Sequence, residues 1–310
     1  MQTLRFASHA VAARYPLPTI GPLAWTQREG GWSASVALPH LPNDFILVPS
    51  CAIAGRPNGD FTVELTAASA RWSLAPTSAT PRPASGEPVD ARATTHIDYF
   101  HCRADLANTT VHVTVARPDA PHDYLVTFAL RPFRSAPNVG VRSTARCIVP
   151  AISQLTAPRA LRHRICSPTC AAMLLAYHGL DTSLLRVVQS CLHAPTGMFG
   201  VWPLAVRTLT DGGLIAAVEC FDDLDVVAPL LDRGLPVVAS IRFASGDLPG
   251  SPLGGTDGHL VVVTGLDGEW VYVNDPAARD ASVVPRRYPR AAFAAAWFTE
   301  RGAAYVAAPF

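Results

Sequence analysis

The sequence predicts an α+β chain in two parts: an antiparallel β-sandwich over residues 1–140, then a unit of helices followed by an antiparallel sheet over 141–310. Three observations predict it. Apolar and polar residues alternate with period two in the first half. Apolar residues at helical spacing enter only after residue 165. Short strands with turn signals follow those helices. With 310 residues, 49% apolar and 16% charged, the chain is long enough to bury two cores and is far from a disordered composition.

In the first half, Phe61, Val63 and Leu65 alternate with Thr62, Glu64 and Thr66. Val111, Val113 and Val115 alternate with His112 and Thr114, and Tyr124, Val126, Phe128 and Leu130 repeat the pattern. Each run reads as a strand with one face on a core. The stretch 75–88 holds four prolines and reads as a long loop. No helix is predicted before residue 140. Residues 131–146 (RPFRSAPNVGVRSTAR) are polar, proline-bearing and unpatterned, which places the boundary between the two parts there.

In the second half, Pro168 suits a first helical turn and Gly179 a C-terminal cap. Cys170, Met173, Leu174 and Tyr177 give the helix between them one apolar face. Asp181 can cap a second helix through Leu184, Leu185, Val187 and Val188. Further helices are predicted over 202–209 and 223–232, the latter stopping at Gly234. Pro236 leads a strand over 237–241, and strands over 260–264 and 270–273 form a hairpin.

A net charge of +1 gives no electrostatic case for nucleic acid or an anionic membrane as main partner. All basic side chains except histidine are arginine. No apolar run approaches the roughly 20 residues that span a bilayer, and the first residues lack a signal-peptide pattern. The expected compartment is therefore the cytoplasm, with export by another route left open. Seven irregularly spaced cysteines argue against a disulfide framework; Cys51 and Cys102 form the only pair to suspect. Cys166-x-x-x-Cys170 has no second ligand pair at zinc-like spacing, so no metal or other cofactor is expected.

Cys166 opens the helical run Cys166-Ser167-Pro168-Thr169. A buried apolar thiol is the ordinary fate of a cysteine. A thiol at a helix start, however, feels unpaired N–H groups that lower its pKa, which suits a nucleophile. His259 stands in Gly258-His259 at the mouth of an apolar strand, and Asn274-Asp275-Pro276 follows the next strand. A three-residue loop, Leu266-Asp267-Gly268, sets His259 directly opposite Asp275, with Cβ atoms about 4.5–5.5 Å apart. A two-residue Asp-Gly turn sets Asn274 on the histidine's face instead. Either side chain can orient an imidazole. Met198, Phe199, Trp202 and the loop 245–257 are candidates for lining a cleft.

These segments resemble a known family. Cys166-Ser-Pro-Thr-Cys-Ala-Ala-Met-Leu-Leu-Ala-Tyr-His-Gly179 resembles the nucleophile helix of the bacteriocin-processing (double-glycine) peptidases, in particular their stand-alone peptidase-like branch. Gly258-His259 through Gly265 resembles that family's histidine strand, Val273-Asn274-Asp275-Pro276-Ala277 its acidic segment, and Tyr288-Pro289-Arg290 to Trp297 its tail. The resemblance covers about 149–298. It implies a papain-like cysteine peptidase domain acting on a peptide or protein substrate, with Cys166 as nucleophile, His259 as base, Asp275 as orienter and Gln154 as the oxyanion donor. The sequence departs from the transporter-linked members at Ser167, where they have glycine, and in placing Gln154 twelve residues before the cysteine. The same parts serve other acyl transfers, and a catalytically silent binding protein is the alternative of a different class.

Overall fold

The computed structural model describes residues 2–55, 60–78, 90–180 and 183–310. Its first half holds β1 (Gln2–Ala7), α1 (His9–Ala12), β2 (Thr26–Arg28), β3 (Gly31–Ala37), β4 (Phe45–Ile53), β5 (Phe61–Ala67), β6 (Ala70–Leu74), β7 (Ala93–Thr95), β8 (Phe100–Cys102), β9 (Thr109–Val115) and β10 (Tyr124–Pro132). These form two five-stranded sheets, ordered β1-β10-β4-β8-β7 and β2-β3-β9-β5-β6. All their pairings are antiparallel. Between them lies a core that includes Leu47, Phe61, Val63, Leu65, Val111, Val113, Val126 and Phe128. The alternation read from the sequence thus marks the inward faces of a sandwich. The single helical turn α1, capped by Ser8, was not predicted, because four residues are too few to show a helical period. The proline-rich loop expected over 75–88 falls largely outside the described residues, as does Asp181.

The second half holds α2 (Cys166–Tyr177), α3 (Leu184–Ser190), α4 (Trp202–Asp211), β11 (Leu214–Cys220), α5 (Leu224–Asp232), β12 (Val237–Phe243), β13 (Thr256–Leu266), β14 (Trp270–Asn274), β15 (Pro285–Pro289), α6 (Arg290–Phe298) and β16 (Ala303–Pro309). Its strands form one six-stranded antiparallel sheet, β11-β16-β12-β13-β14-β15. The chain is therefore α+β, with antiparallel sheets throughout and a sheet-rich N-terminal region. Among the described residues no helix is long and apolar enough to cross a membrane. All seven cysteines, Cys51 and Cys102 included, are free thiols.

The sequence pattern underestimates how the halves meet. In β10, Tyr124, Val126, Phe128 and Leu130 face the sandwich core, but Leu125 and Ala129 are equally buried and join the core of the second half. β4 divides the same way, with Leu47, Cys51 and Ile53 on one side and Ile46, Val48 and Ala52 on the other. A strand expected to have one wet face instead separates two cores. The polar residues on its second face are consumed at the seam. Thr127 Oγ1 donates to the Val218 carbonyl (3.1 Å), and the Val218 N–H donates to Ser50 Oγ (2.9 Å). These bonds satisfy the outer edge of β11, which would otherwise expose unpaired backbone groups.

Two arginines, Arg5 half-buried and Arg131 buried, complete the seam. Arg5 makes a two-pronged contact with the fully buried Glu219 (2.7 and 2.8 Å), whose Oε1 also accepts from the Tyr15 hydroxyl (3.0 Å). Arg131 is 1% exposed and donates to the carbonyls of Phe221 (2.6 Å) and Phe298 (2.8 Å). It reaches them past Gly302, where a Cβ would collide with the guanidinium and with the Phe221 carbonyl.

The segment 131–146 is consequently not an open linker. Its backbone is stitched to the second half by Ser135 N–H to Thr299 O (3.1 Å), Asn138 N–H to Asp222 O (2.8 Å) and Thr144 N–H to Leu266 O (3.0 Å). Its polar residues serve backbone and guanidinium bonding across the seam between the halves.

Arg5→Ala should leave Glu219 buried and uncompensated, lowering stability by about 3–5 kcal/mol. Urea unfolding followed by tryptophan fluorescence and by circular dichroism should give one shared transition. Limited trypsin digestion should spare the bonds after Arg134 and Arg142, and an early cut at either would contradict the fused seam.

Candidate active site

α2 begins at Cys166 with Ile165 as its N-cap residue, and no side chain caps it. The first helical bond runs from Thr169 N–H to Ile165 O (3.0 Å), and Pro168 has no N–H. The N–H groups left over at this end are therefore those of Cys166 and Ser167. Residues 167–175 are buried, while Cys166 at the tip is half-buried. The helix lies along β13, and the Cys170 thiol bonds the Leu260 carbonyl (3.3 Å). Cys170 is thus a packing residue, and its contact holds the start of α2 beside His259.

His259 is 3% exposed and Asp275 is fully buried. His259 Nε2 donates to Asp275 Oδ1 at 2.8 Å, which leaves Nδ1 for the Cys166 thiol, whose ionised form the ring favours. Asp275 Oδ1 also accepts from Ala277 N–H (2.9 Å), and Oδ2 accepts from the Tyr288 hydroxyl (2.6 Å). Its own N–H is tied to Val284 O (2.9 Å).

The hairpin reaches this arrangement by neither register read from the sequence. Asp267 N–H bonds Trp270 O (3.0 Å), so Gly268 and Glu269 form the loop, and Asp267 Oδ1 accepts from both Glu269 N–H and Trp270 N–H. The pairs are Leu266 with Val271, Gly265 with Tyr272, Val263 with Val273 and Val262 with Asn274, with a bulge between Val263 and Gly265. One step further sets Asp275 across from Val261. His259 and Asp275 are then diagonal neighbours on one face, a separation of about 7–8 Å between backbones that two side chains can bridge. The directly opposed pairing is corrected by the bulge, which sequence patterning does not reveal. Asn274 does not reach the imidazole; its amide donates to Val149 O (3.0 Å) and Pro150 O (3.4 Å).

Burial alone would raise the Cys166 thiol. The hydrogen bond and charge of His259, with the N–H groups of Leu260 and Ser167, outweigh burial and hold it below the ordinary thiol value. Burial would likewise lower His259, but the Asp275 charge and hydrogen bond, then Cys166, raise it to about 10. Burial would raise Asp275, and the His259 charge and the bonds from His259, Tyr288 and Ala277 keep it low. Burial pushes Cys51, Cys191 and Cys220 up to about 12 and Cys102 to about 11, and it raises Cys147 and Cys170.

Gln154 lies in a 3-10 turn (Gln154–Thr156) and is 6% exposed. Its N–H donates to Pro276 O (2.9 Å), and Ser153 Oγ bonds Ala278 O, so this turn docks on the residues that follow Asp275. The Gln154 Oε1 atom is buried without a partner. Ser167 turns its hydroxyl away to Tyr305 OH (2.9 Å) in the core. Trp202 and Phe199, expected to line a cleft, are 4% and 6% exposed. Trp202 stacks on Tyr99 at the seam between the halves, and Phe199 packs with Ile165 and Val188 behind the start of α2. Both pack against neighbouring side chains in this structure. Tyr288 and Tyr305 were missed as partners of the site. Tyr288 was noted only as part of a tail motif, and nothing in the spacing ties either hydroxyl to residues so distant in sequence.

The sequence model of the Peptidase_C39 like family matches residues 148–305. A double glycine motif protease from an AMS/PCAT transporter, solved in complex with the leader peptide, is 21% identical, with 55% of this chain and 100% of that chain covered at a TM-score of 0.39. A C39-like peptidase from Bacillus anthracis is 20% identical, with 54% of this chain and 97% of that chain covered at a TM-score of 0.40. No curated protein matches the chain.

Cys166 combines the lowered thiol with partial exposure, so iodoacetamide near pH 6 should label it first. Peptide mapping should show Cys147, Cys170 and Cys220 unlabelled until the protein is denatured. Earlier labelling of any of those three would reject the electrostatics described.

Proposed function

The chain belongs to the Peptidase_C39 like family, and on that premise we propose that it is a cysteine peptidase of papain-like architecture. It hydrolyses peptide bonds through Cys166, His259 and Asp275 by way of a thioester acyl-enzyme. The observation that carries the reading is the lowered Cys166 thiol beside an imidazole that Asp275 holds at 2.8 Å. A thiol is a weak nucleophile until it is ionised, and this contact supplies a cation to keep the thiolate.

In the proposed reaction the Cys166 thiolate attacks the carbonyl carbon of a peptide bond, and a carbon–sulfur bond forms as the carbonyl oxygen takes the negative charge. The backbone N–H of Cys166 at the uncapped helix start and the Gln154 side chain donate to that oxygen. One such donor is typically worth about 2.7–4 kcal/mol. The imidazolium gives its proton to the leaving nitrogen, the carbon–nitrogen bond breaks and the amine departs. Neutral His259 then takes a proton from water, the resulting hydroxide attacks the thioester, the carbon–sulfur bond breaks to restore the thiolate, and the acid product leaves, giving its proton to solvent. Asp275 carries no proton in this cycle; it fixes the ring and stabilises its charged form. The Gln154 role, which its side-chain NH2 group would fill, is supported by the docking of its turn on the residues that follow Asp275.

Cys166→Ala and His259→Ala should each lower kcat by about 10⁴-fold or more, with the double variant little worse, since the two act as a unit. Asp275→Ala should reduce kcat markedly, whereas Asn274→Ala should lower Tm and leave kcat nearly intact. A peptide-library digest read by mass spectrometry measures turnover in all five variants, and thermal melting followed by circular dichroism gives the Tm. Activity should rise as Cys166 ionises below the ordinary thiol range of about 8.5, and fall as His259 loses its proton toward about 10. A kcat/KM profile rising only above the ordinary thiol range would contradict the thiolate–imidazolium pair.

A further inference from the structure

We propose that Tyr288 is a positioning residue of this site, holding Asp275 in the one orientation that aims the imidazole at Cys166. The role rests on the reading of Cys166, His259 and Asp275 as the reacting set. Asp275 is a fully buried carboxylate whose two oxygens have different duties. Oδ1 serves His259 at 2.8 Å and Ala277 N–H at 2.9 Å. Oδ2 has the Tyr288 hydroxyl at 2.6 Å as its hydrogen-bond partner among the described residues. Without that donor, half of a buried anion is unsatisfied, and rotation about χ2 that seeks another partner carries Oδ1 off the ring.

Tyr288 is built to hold still. It is fully buried on β15, paired with Val271 of β14, and its ring stacks on Phe293 at 5.9 Å and 10°. It therefore approaches Asp275 from the side of the sheet opposite in strand order to β13, which carries His259. The carboxylate is clamped between neighbours on both sides. The charged and titratable groups around the clamp are His259 on β13, Cys166 and Cys170 on α2, and Tyr288 and Arg286 on β15. Burial, then the Asp275 charge and hydrogen bond, push the phenol far up, so it stays a donor over the whole working range. Arg286 Nη1 also bonds the Gly250 carbonyl (2.9 Å), and the Ser251 side chain acts on the phenol, so the loop between β12 and β13 is anchored against the same strand.

The same hairpin supplies a matched control. Tyr272 donates to Asp267 Oδ2 at 2.6 Å, the same bond at the turn rather than at the site. The test is the pH dependence of Cys166 alkylation by iodoacetamide in wild type, Tyr288→Phe and Tyr272→Phe, with folding checked by circular dichroism. Losing the donor makes Asp275 easier to protonate and worse at supporting the imidazolium. Tyr288→Phe should therefore alkylate at least about tenfold more slowly at pH 6, the scale of one hydrogen bond to an ionised group. The midpoint of its acid limb should move up, and Tyr272→Phe should match wild type. A Tyr288→Phe profile superimposed on wild type overturns the role. A wild type with no reactive Cys166 at low pH overturns the nucleophile reading and this role with it. Should Tyr288→Phe not fold, proton NMR of the wild type decides: a protected, downfield phenol proton that shifts when Cys166 is alkylated supports the clamp, and its absence overturns it.

Discussion

A carboxylate without access to water, Asp275, governs the chemistry around it. A buried anion is tolerated only when it is paired and fully hydrogen-bonded, and His259, Ala277 and Tyr288 meet that demand. The dependence then runs outward. His259 is itself buried, and burial favours its neutral form, so its proton is held chiefly by Asp275. Cys166 in turn owes its lowered thiol to the charge on His259. Three groups that would each be unremarkable alone form a sequence in which every member sets the protonation of the next.

The placement of these groups comes from two ends of the chain's second half. α2 brings a thiol at an uncapped helix start, and the β13–β14 hairpin brings a histidine and a carboxylate within reach of each other. Nothing in either segment makes the site alone. The bond from Cys170 to the Leu260 carbonyl fixes the relation between them, and the docking of the 153–154 turn on residues 276–278 closes the corner. The sandwich acts one layer further out. Its β4 and β10 form the floor on which α4 and β11 rest, and β16, paired with β11, supplies the tyrosine that occupies Ser167.

Much of this could be read from residues in order. Period-two alternation gave the sandwich strands their inward faces, and Pro168 and Gly179 bracketed α2 because proline and glycine act through the backbone itself. Cys166, His259 and Asp275 were legible because each carries a local signature: a helix start, a strand mouth, a strand end. What escaped was non-local. The hairpin bulge between Val263 and Gly265 leaves no mark in the local alternation of residue types. Trp202 and Phe199 looked like cleft residues because an aromatic side chain offers the same surface to a ligand as to a neighbouring domain. Arg131 looked like a solvent-exposed linker residue because a guanidinium satisfied by carbonyls from 90 and 167 positions away leaves no mark on its own surroundings.

The double burial of β10 has a consequence for how this chain can change over time. A strand with one wet face tolerates a slip in register by exposing what it once hid. In β10 and β4 both sets of side chains are already committed, one to the sandwich and the other to the core of the second half. A one-residue insertion would exchange the two sets, forcing Phe128 toward β11 and Thr127 into the sandwich. Such a lesion would be felt in two cores at once. The N-terminal half is thus poorly suited to being swapped, trimmed or reshuffled as an independent module, because β4 and β10 also wall the second core.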